Sequence, residues 1–231
     1  MKLVFADFDQ TISSFDTLLP FSHFLLQQEG RLCRYPLVFF FNALYRTGFL
    51  SDRSFRTRLC RLLVDGRTTR QVAEIAEQFH TQYSSTIINP VVWNWIKEQA
   101  GPTGRVVVLS TNFDFVIEPL RRHRSDLEIR TTQVEIQSGL YTNALAHHIG
   151  SSADKLRLFE AIIAAAPGAE TVGLGDSGTD YGFLGRCQSA WIIRRPNNSR
   201  FKKCRRMINC CLGRFPRTPV SDEIEIRPFS R

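Results

Sequence analysis

The chain has 231 residues, enough for one large domain or a core with a smaller insert, and 43% of them are hydrophobic, so a sizeable core can be buried. Its formal net charge of +8 does not mark a nucleic-acid platform. Residues 1–193 carry 19 Lys and Arg against 19 Asp and Glu, whereas residues 194–231 carry 11 against 3, so the whole excess lies at the carboxyl end, where aromatic interleaving is thin, with Phe201 and Phe215 near the basic run.

Lys2–Ala6 reads as a buried-type strand. It ends in Asp7, Phe8, Asp9, Gln10 and Thr11, an Asp-x-Asp-x-Thr run. Two carboxylates at the mouth of a hydrophobic core are costly unless something neutralises them. A hard cation suits that task, and a carboxylate beside one is able to attack phosphorus. The apolar amino terminus is short and interrupted by Asp7 and Asp9, so no signal peptide is expected.

Residues 16–100 are predicted to be helical, with pieces at Leu18–Gln28, around Phe39, Asp52–Val64, Thr69–Tyr83 and Val91–Gln99. Apolar residues recur there at three- and four-residue spacing, as at Leu59, Leu62 and Leu63, or Val72, Ile75, Ala76 and Phe79. Asp52 precedes one helix, Thr68 or Thr69 caps the next, and Gly101-Pro102 ends the last. The greasiest segment, Tyr35–Tyr45, is about half a membrane span and is expected as a buried helix. Its run Phe39–Phe41, flanked by Arg31, Arg34 and Arg46, also suits an interface.

Arg105–Ser110 is predicted as the second buried strand, followed by a helix over 114–123. Glu128–Gln137 and Leu140–Leu145 form a hairpin turning at Gly139, Ala153–Ala165 a helix, and Thr171–Asp176 and Ala190–Ile193 two further strands. Strands alternating with helices predict a mostly parallel α/β sheet. The expected architecture is a Rossmann-like three-layer core from residues 1–15 and 101–195, an inserted helical cap at 16–100, and a basic carboxyl-terminal tail at 196–231. The tail includes Arg200, Lys202, Lys203, Arg205 and Arg206 and is read as solvated, with anionic lipid or, less favoured, nucleic acid as the alternative partner. The six cysteines, at 33, 60, 187, 204, 210 and 211, have no zinc spacing and are expected as free thiols in a cytosolic protein. A lipidated Cys210-Cys211 pair would instead make it membrane-peripheral.

Polar groups gather where a parallel sheet binds ligands, beyond the carboxyl ends of its strands. The first strand ends in Asp7 and Asp9, the next core strand in Ser110, Thr111 and Asn112. A later strand ends in Asp176, Ser177, Gly178, Thr179 and Asp180, and Lys155 stands near the start of the preceding helix. Singly, each reads equally well as a turn, a helix cap or a solvated charge. All four, in this order on alternating strands, point to one site.

These motifs resemble those of the haloacid dehalogenase-like hydrolase superfamily, in the helical-cap branch that includes phosphoserine phosphatases. The resemblance covers roughly residues 1–195. It implies a magnesium-dependent phosphatase acting through an aspartyl-phosphate. Asp7 would be the nucleophile and Asp9 the proton donor and acceptor. Magnesium would bind the Asp7 carboxylate, the Asp9 carbonyl and Asp176. Ser110, Thr111 and Lys155 would hold the phosphoryl group, Asp180 would orient the metal site, and Thr11 would brace the loop holding Asp9. Asn112 is a further candidate phosphate contact.

Phosphoserine phosphatases carry a Glu nine positions after the nucleophile, and this chain has Asp16 there, read as a helix cap or a specificity contact. Arg46, Arg53, Arg56, Arg58, Arg61, Arg67 and Arg70 are expected on a solvated face, or with one turned inward to meet an anionic group of the substrate. His147 and His148 are expected at a solvated hairpin end. A small phosphorylated substrate is the expected partner. The rival readings are a lipid-phosphate phosphatase at a membrane surface, a phosphotransferase using the same intermediate, and a phosphate-binding scaffold.

Overall fold

A computed structural model describes residues 1–194 and 224–229. Strand β1 (Lys2–Ala6) ends in a π-type turn over Phe8–Ile12, after which the chain enters α1 (Leu18–Gln28), α2 (Tyr35–Arg46), α3 (Asp52–Leu63), α4 (Thr69–Gln82), α5 (Ser84–Ile87) and α6 (Pro90–Ala100). It returns as β2 (Arg105–Phe113), α7 (Asp114–Ile117), β3 (Glu128–Gln137), β4 (Leu140–His147), α8 (Ser152–Ala164), β5 (Glu170–Gly175), α9 (Tyr181–Leu184), β6 (Ser189–Arg194) and β7 (Glu225–Pro228).

The strands form one sheet in the order β4-β3-β2-β1-β5-β6-β7. The inner five are parallel, and β4 and β7 add antiparallel edges. β1 is central, and its alternating side chains feed both faces. Leu3 and Phe5 join Phe159, Ile162 and Phe183 on one side, while Val4 and Ala6 join the helical residues Leu25, Phe79 and Ile96 on the other. A strand buried on both faces reads as a continuous apolar run, as β1 does. From β1 the chain moves outward through β2, β3 and β4, then crosses back to β5 on the opposite side of β1. That reversal opens a crevice at the carboxyl end of β1, the favoured ligand position in an open α/β sheet.

Local signals explain the helix ends. Ser51 rather than Asp52 caps α3, accepting from the Ser54 N–H at 3.2 Å. Thr68 and Gln71 close a capping box on α4, and Asn89 caps α6 just before Pro90. The start of the insertion is tied to the α5–α6 junction, where Asn89 N–H donates to Ile12 O at 2.9 Å and Ser14 N–H to Ile87 O at 3.2 Å.

Several expectations change. The helix predicted over 114–123 is split into α7 and a 3-10 turn, Glu118–Arg122, which carries Pro119 near its start. Residues 225–228 of the expected tail pair with β6 as β7. The greasy α2 is not a buried helix: it buries Tyr35, Val38 and Asn42, while Phe39 and Phe40 are exposed. The basic cluster Arg200–Arg206 and Cys204, Cys210 and Cys211 lie outside the described residues. Cys33, Cys60 and Cys187 are free thiols.

Candidate active site

Asp7 follows β1 into the crevice, its N–H continuing the ladder to Leu174 O at 3.0 Å. Lys155 reaches it from the first turn of α8. The ammonium donates to Asp7 Oδ1 and Asp180 Oδ1, both at 2.6 Å, and the side chain is 1% exposed. A cation in the first turn of a helix faces the positive end of its dipole, so the two carboxylates supply the compensation. Burial works against the lysine charge, yet Asp7 and Asp180 outweigh it and hold Lys155 above the usual lysine range. Burial also pushes the Asp7 carboxyl well above its ordinary range; Lys155 opposes that shift, and Asp180 and Asp176 add to it.

Asp180 is fully buried. Its Oδ2 accepts from the Asp176 and Ser177 N–H groups, both at 3.1 Å, and from Ser177 Oγ at 3.2 Å. Gly175 makes this possible, because a Cβ there would lie 2.6 Å from the Asp180 Cβ. Thr11 Oγ1 approaches Asp7 Oδ2 at 3.4 Å. Asp7, Asp176 and Asp180 bring carboxylate oxygens within 4.8 Å of one another. Three carboxylates against one ammonium leave two negative charges, and an all-oxygen donor set of that charge fits a hard divalent cation.

Asp9 sits in the π-type turn, where Gln10 takes a left-handed backbone (φ 61°, ψ 3°) at a cost of roughly 1–3 kcal/mol. Asp9 Oδ1 accepts from Thr17 N–H and Oγ1–H, both at 2.7 Å, and Oδ2 accepts from Asn112 Nδ2 at 2.9 Å. Burial raises its pKa to about 7, helped by the charge of Asp16 and opposed by the Thr17 and Asn112 hydrogen bonds. A carboxyl poised near neutrality is matched to giving and taking a proton.

A cavity of about 500 Å³ joins these groups. Asp7, Asp9, Lys155, Asp176, Thr111 and Asn112 line it on the sheet side, and Asn42, Tyr45, Arg46, Phe55 and Arg56 on the helical side. The sequence-predicted residues therefore converge, with differences. Ser110 is 1% exposed, its hydroxyl accepts from the Asn112 N–H at 3.1 Å, and it is not among the lining residues. β2 runs on to Phe113, so Ser110, Thr111 and Asn112 lie within the strand instead of after it. Asn112, read as a phosphate contact, spends its amide on Asp9 and on Thr17 Oγ1, both at 2.9 Å.

Asp16 accepts from the Leu18 N–H at 3.2 Å at the start of α1, lines the cavity, and stands 4.0 Å from Arg46. Of the cap arginines, Arg56 and Arg67 are buried rather than solvated. Arg67 pairs with Glu29. Arg56 donates to Asp52 at 2.8 Å, lies over the Phe113 ring at 5.7 Å, and has a buried Nη1 without a hydrogen-bond partner. His148 pairs with Asp52 at 2.7 Å, and His147 is exposed. Thr17 is the site residue that sequence reasoning missed. Its one signal is a hydroxyl beside Asp16 just before a helix, which reads as an ordinary cap.

Comparison with known proteins agrees with this arrangement. The model of the family described as haloacid dehalogenase-like hydrolase matches residues 4–185. No curated protein matches the chain significantly. A crystal structure of a protein with unknown function from Bordetella pertussis Tohama I superposes with a TM-score of 0.73 at 16% identity, covering 82% of this chain and 88% of that one. A HAD family hydrolase from Salmonella enterica serovar Typhi gives 0.59 at 15% identity over 80% of this chain, which spans 60% of that protein's length. A phosphoserine phosphatase holding a phospho-aspartyl intermediate analogue gives 0.58 at 17% identity, covering 82% and 84%. At these identities the superpositions speak for the fold alone. With the family model matched over most of its length, the chain belongs to the haloacid dehalogenase-like hydrolase family.

Proposed function

We propose that the chain is a magnesium-dependent phosphatase that hydrolyses a phosphomonoester through an aspartyl-phosphate on Asp7. The observation that carries this reading is geometric. Asp7, bonded to Lys155 at 2.6 Å, and Asp9, two residues on, line one cavity at the carboxyl end of the central strand. Residues 1–15 and 101–195 serve as the catalytic core in this reading, and residues 16–100 as the cap that completes the cavity.

A carboxylate oxygen of Asp7 attacks phosphorus in line, and the ester P–O bond breaks. Asp9 gives its proton to the departing alcohol oxygen. Asp9 then takes a proton from the water that attacks the aspartyl-phosphate, so inorganic phosphate leaves and both carboxyls return to their starting states. Lys155, charged and fixed by Asp180, offsets the negative charge that builds on the phosphoryl oxygens. Thr111 borders the same space and is positioned for a further contact, with Ser110 acting from behind the wall. Asp7, Asp176 and the Asp9 carbonyl would hold magnesium, with Asp180 and Thr11 bracing the loops. The cation supplies positive charge that screens the carboxylates from the incoming phosphate.

Arg46 and Arg56 line the helical side of the cavity, which supports the reading that a cap arginine meets an anionic group of the substrate. Asp16, one methylene shorter than Glu, fits a substrate other than phosphoserine. The test is turnover of a panel of phosphomonoesters, lipid phosphates included, with and without magnesium, with Asp7→Asn as control. Turnover that needs both magnesium and Asp7 is expected. Turnover by Asp7→Asn near the wild-type rate would overturn the nucleophile, and no turnover of any member would favour a phosphate-binding protein. Products trapped with added alcohols separate hydrolysis from phosphotransfer.

A further inference from the structure

Six of the eleven large apolar side chains that are exposed among the described residues fall within residues 32–49: Leu32, Leu37, Phe39, Phe40, Tyr45 and Phe49. They centre on α2. That helix buries the narrow stripe Tyr35, Val38 and Asn42, leaving Leu37 and Phe40 one turn apart on its outer side. Phe40 is 54% exposed and Phe49 80%. The turn bearing Phe49 folds back on α2 through its N–H to Leu44 O at 2.9 Å.

The charge around this face is mostly positive: Arg31 stands 3.7 Å from Glu29 and Arg46 4.0 Å from Asp16, while Arg34, Arg53 and Arg58 are exposed. From Gly30 to Ser51 there is no Asp or Glu, and Arg31, Arg34 and Arg46 are the charged residues. On the neighbouring α3, Arg53 and Arg58 are exposed, and the Arg58 guanidinium lies 5.3 Å from the centre of the Phe41 ring. A helix face meant for water interleaves polar residues of both signs. A face of aromatic and aliphatic side chains rimmed mainly by arginine, with Arg34, Arg53 and Arg58 exposed, matches a surface that is apolar inside and anionic outside.

We propose that α2, with the turns on either side of it, docks the protein on an anionic lipid surface. The rings enter the headgroup boundary, and the arginines meet lipid phosphates. At 12 residues α2 is roughly 18 Å long, too short to span a bilayer, and none of the described helices is long and apolar enough to cross one. The helix therefore lies in the interface plane. The same helix gives Asn42, Tyr45 and Arg46 to the cavity wall, so the docking face and the cavity share one element. The docking stands whether or not the proposed chemistry does.

Co-sedimentation of the full chain with vesicles tests it, using phosphatidylcholine alone and phosphatidylcholine mixed with phosphatidylglycerol. Binding to the mixed vesicles only is expected. Phe40→Ser with Phe49→Ser lowers the bound-to-free ratio at least about tenfold, and Arg34→Gln lowers it roughly fivefold. None of these side chains lines the cavity, so any hydrolysis of a soluble phosphomonoester stays at the wild-type rate and reports an intact fold. Equal binding by the wild type and the double serine variant would overturn the proposal, as would equal binding to both vesicle types or binding to neither. A dimer that the double serine variant dissolves, without vesicle binding, would make the face a contact between copies and end the proposal. The expected vesicle pattern in a protein that hydrolyses nothing would uphold docking and remove only the phosphatase reading.

Discussion

Lys155→Met keeps the length and bulk of a buried side chain and deletes its charge. The ammonium lies 2.6 Å from Asp7 Oδ1 and 2.6 Å from Asp180 Oδ1, and Asp176 completes a carboxylate cluster spanning 4.8 Å. At an effective dielectric of about 20, each unit-charge contact at that distance is worth roughly 6 kcal/mol before the cost of desolvation. Most of that is offset, and removing one partner of such a buried pair typically costs about 3–5 kcal/mol. For a domain of this size each kcal/mol moves the melting temperature by about 2–4 °C, so the variant should melt roughly 6–20 °C lower in the absence of divalent cations. Circular dichroism melts of the wild type, Lys155→Met, Asp180→Asn and the double variant provide the assay. The double variant should be less destabilised than the sum of the singles by about 1–3 kcal/mol, because Asp180→Asn removes one of the stranded charges. A Lys155→Met melting point within about 2 °C of the wild type, or additive singles, would refute the argument that this lysine neutralises the cluster.

Magnesium at a hundred times its Kd should stabilise the protein by about 2.7 kcal/mol, and Asp176→Asn should abolish the gain; melts in chelator and in magnesium read this without substrate. Gly175→Ala should push Asp180 off its perch, since a Cβ would meet the Asp180 Cβ at 2.6 Å, costing about 1–3 kcal/mol and lowering turnover of any active phosphomonoester. Unchanged melting and turnover would contradict that packing. His80 is buried with Nε2 2.8 Å from Val116 O, and burial lowers its pKa to about 4. The unfolded chain takes up that proton near pH 6.5, before the fold does. Stability should therefore fall as pH drops from about 6.5 to about 4, by up to roughly 3 kcal/mol. Urea unfolding of His80→Gln should show a shallower fall across that window.

What was legible in the sequence is what strong local chemistry writes there. Leu3–Ala6 is apolar on both strand faces, and ligand groups in such a sheet gather just beyond strand ends, so Asp7, Asp176 and Asp180 were legible once read together. Lys155 alone reads as a solvated charge, and it was legible only together with the Asp7, Ser110 and Asp176 groups in their order along the chain. The hydrogen bonds on Asp9 were not legible. Thr17 and Asn112 are 95 residues apart and meet only because β2 lies beside β1. The end of β2 was misjudged because Ser110, Thr111 and Asn112 look like a cap, whereas the strand continues to Phe113. The exposure of Phe39 and Phe40 was hidden for a different reason. Hydrophobicity reports a preference for burial, and whether a face is covered depends on which neighbouring helices reach it.

The position of β1 has a consequence for how the chain comes into being. Lys2–Ala6 is made well before its partners, Arg105–Val108 and Glu170–Leu174. At about 5–20 residues per second, residue 170 follows roughly 10–30 s later. The central strand must wait for both neighbours, while the contacts within α1–α4 close over shorter loops and can form sooner. During that interval Leu3-Val4-Phe5-Ala6 is an unpaired apolar β segment of the kind that seeds aggregation. Lys2 and Asp7 bracket it with opposite charges, the usual gatekeeping device for an unavoidable hydrophobic strand. Asp7 thus guards the nascent chain before there is a crevice for it to serve.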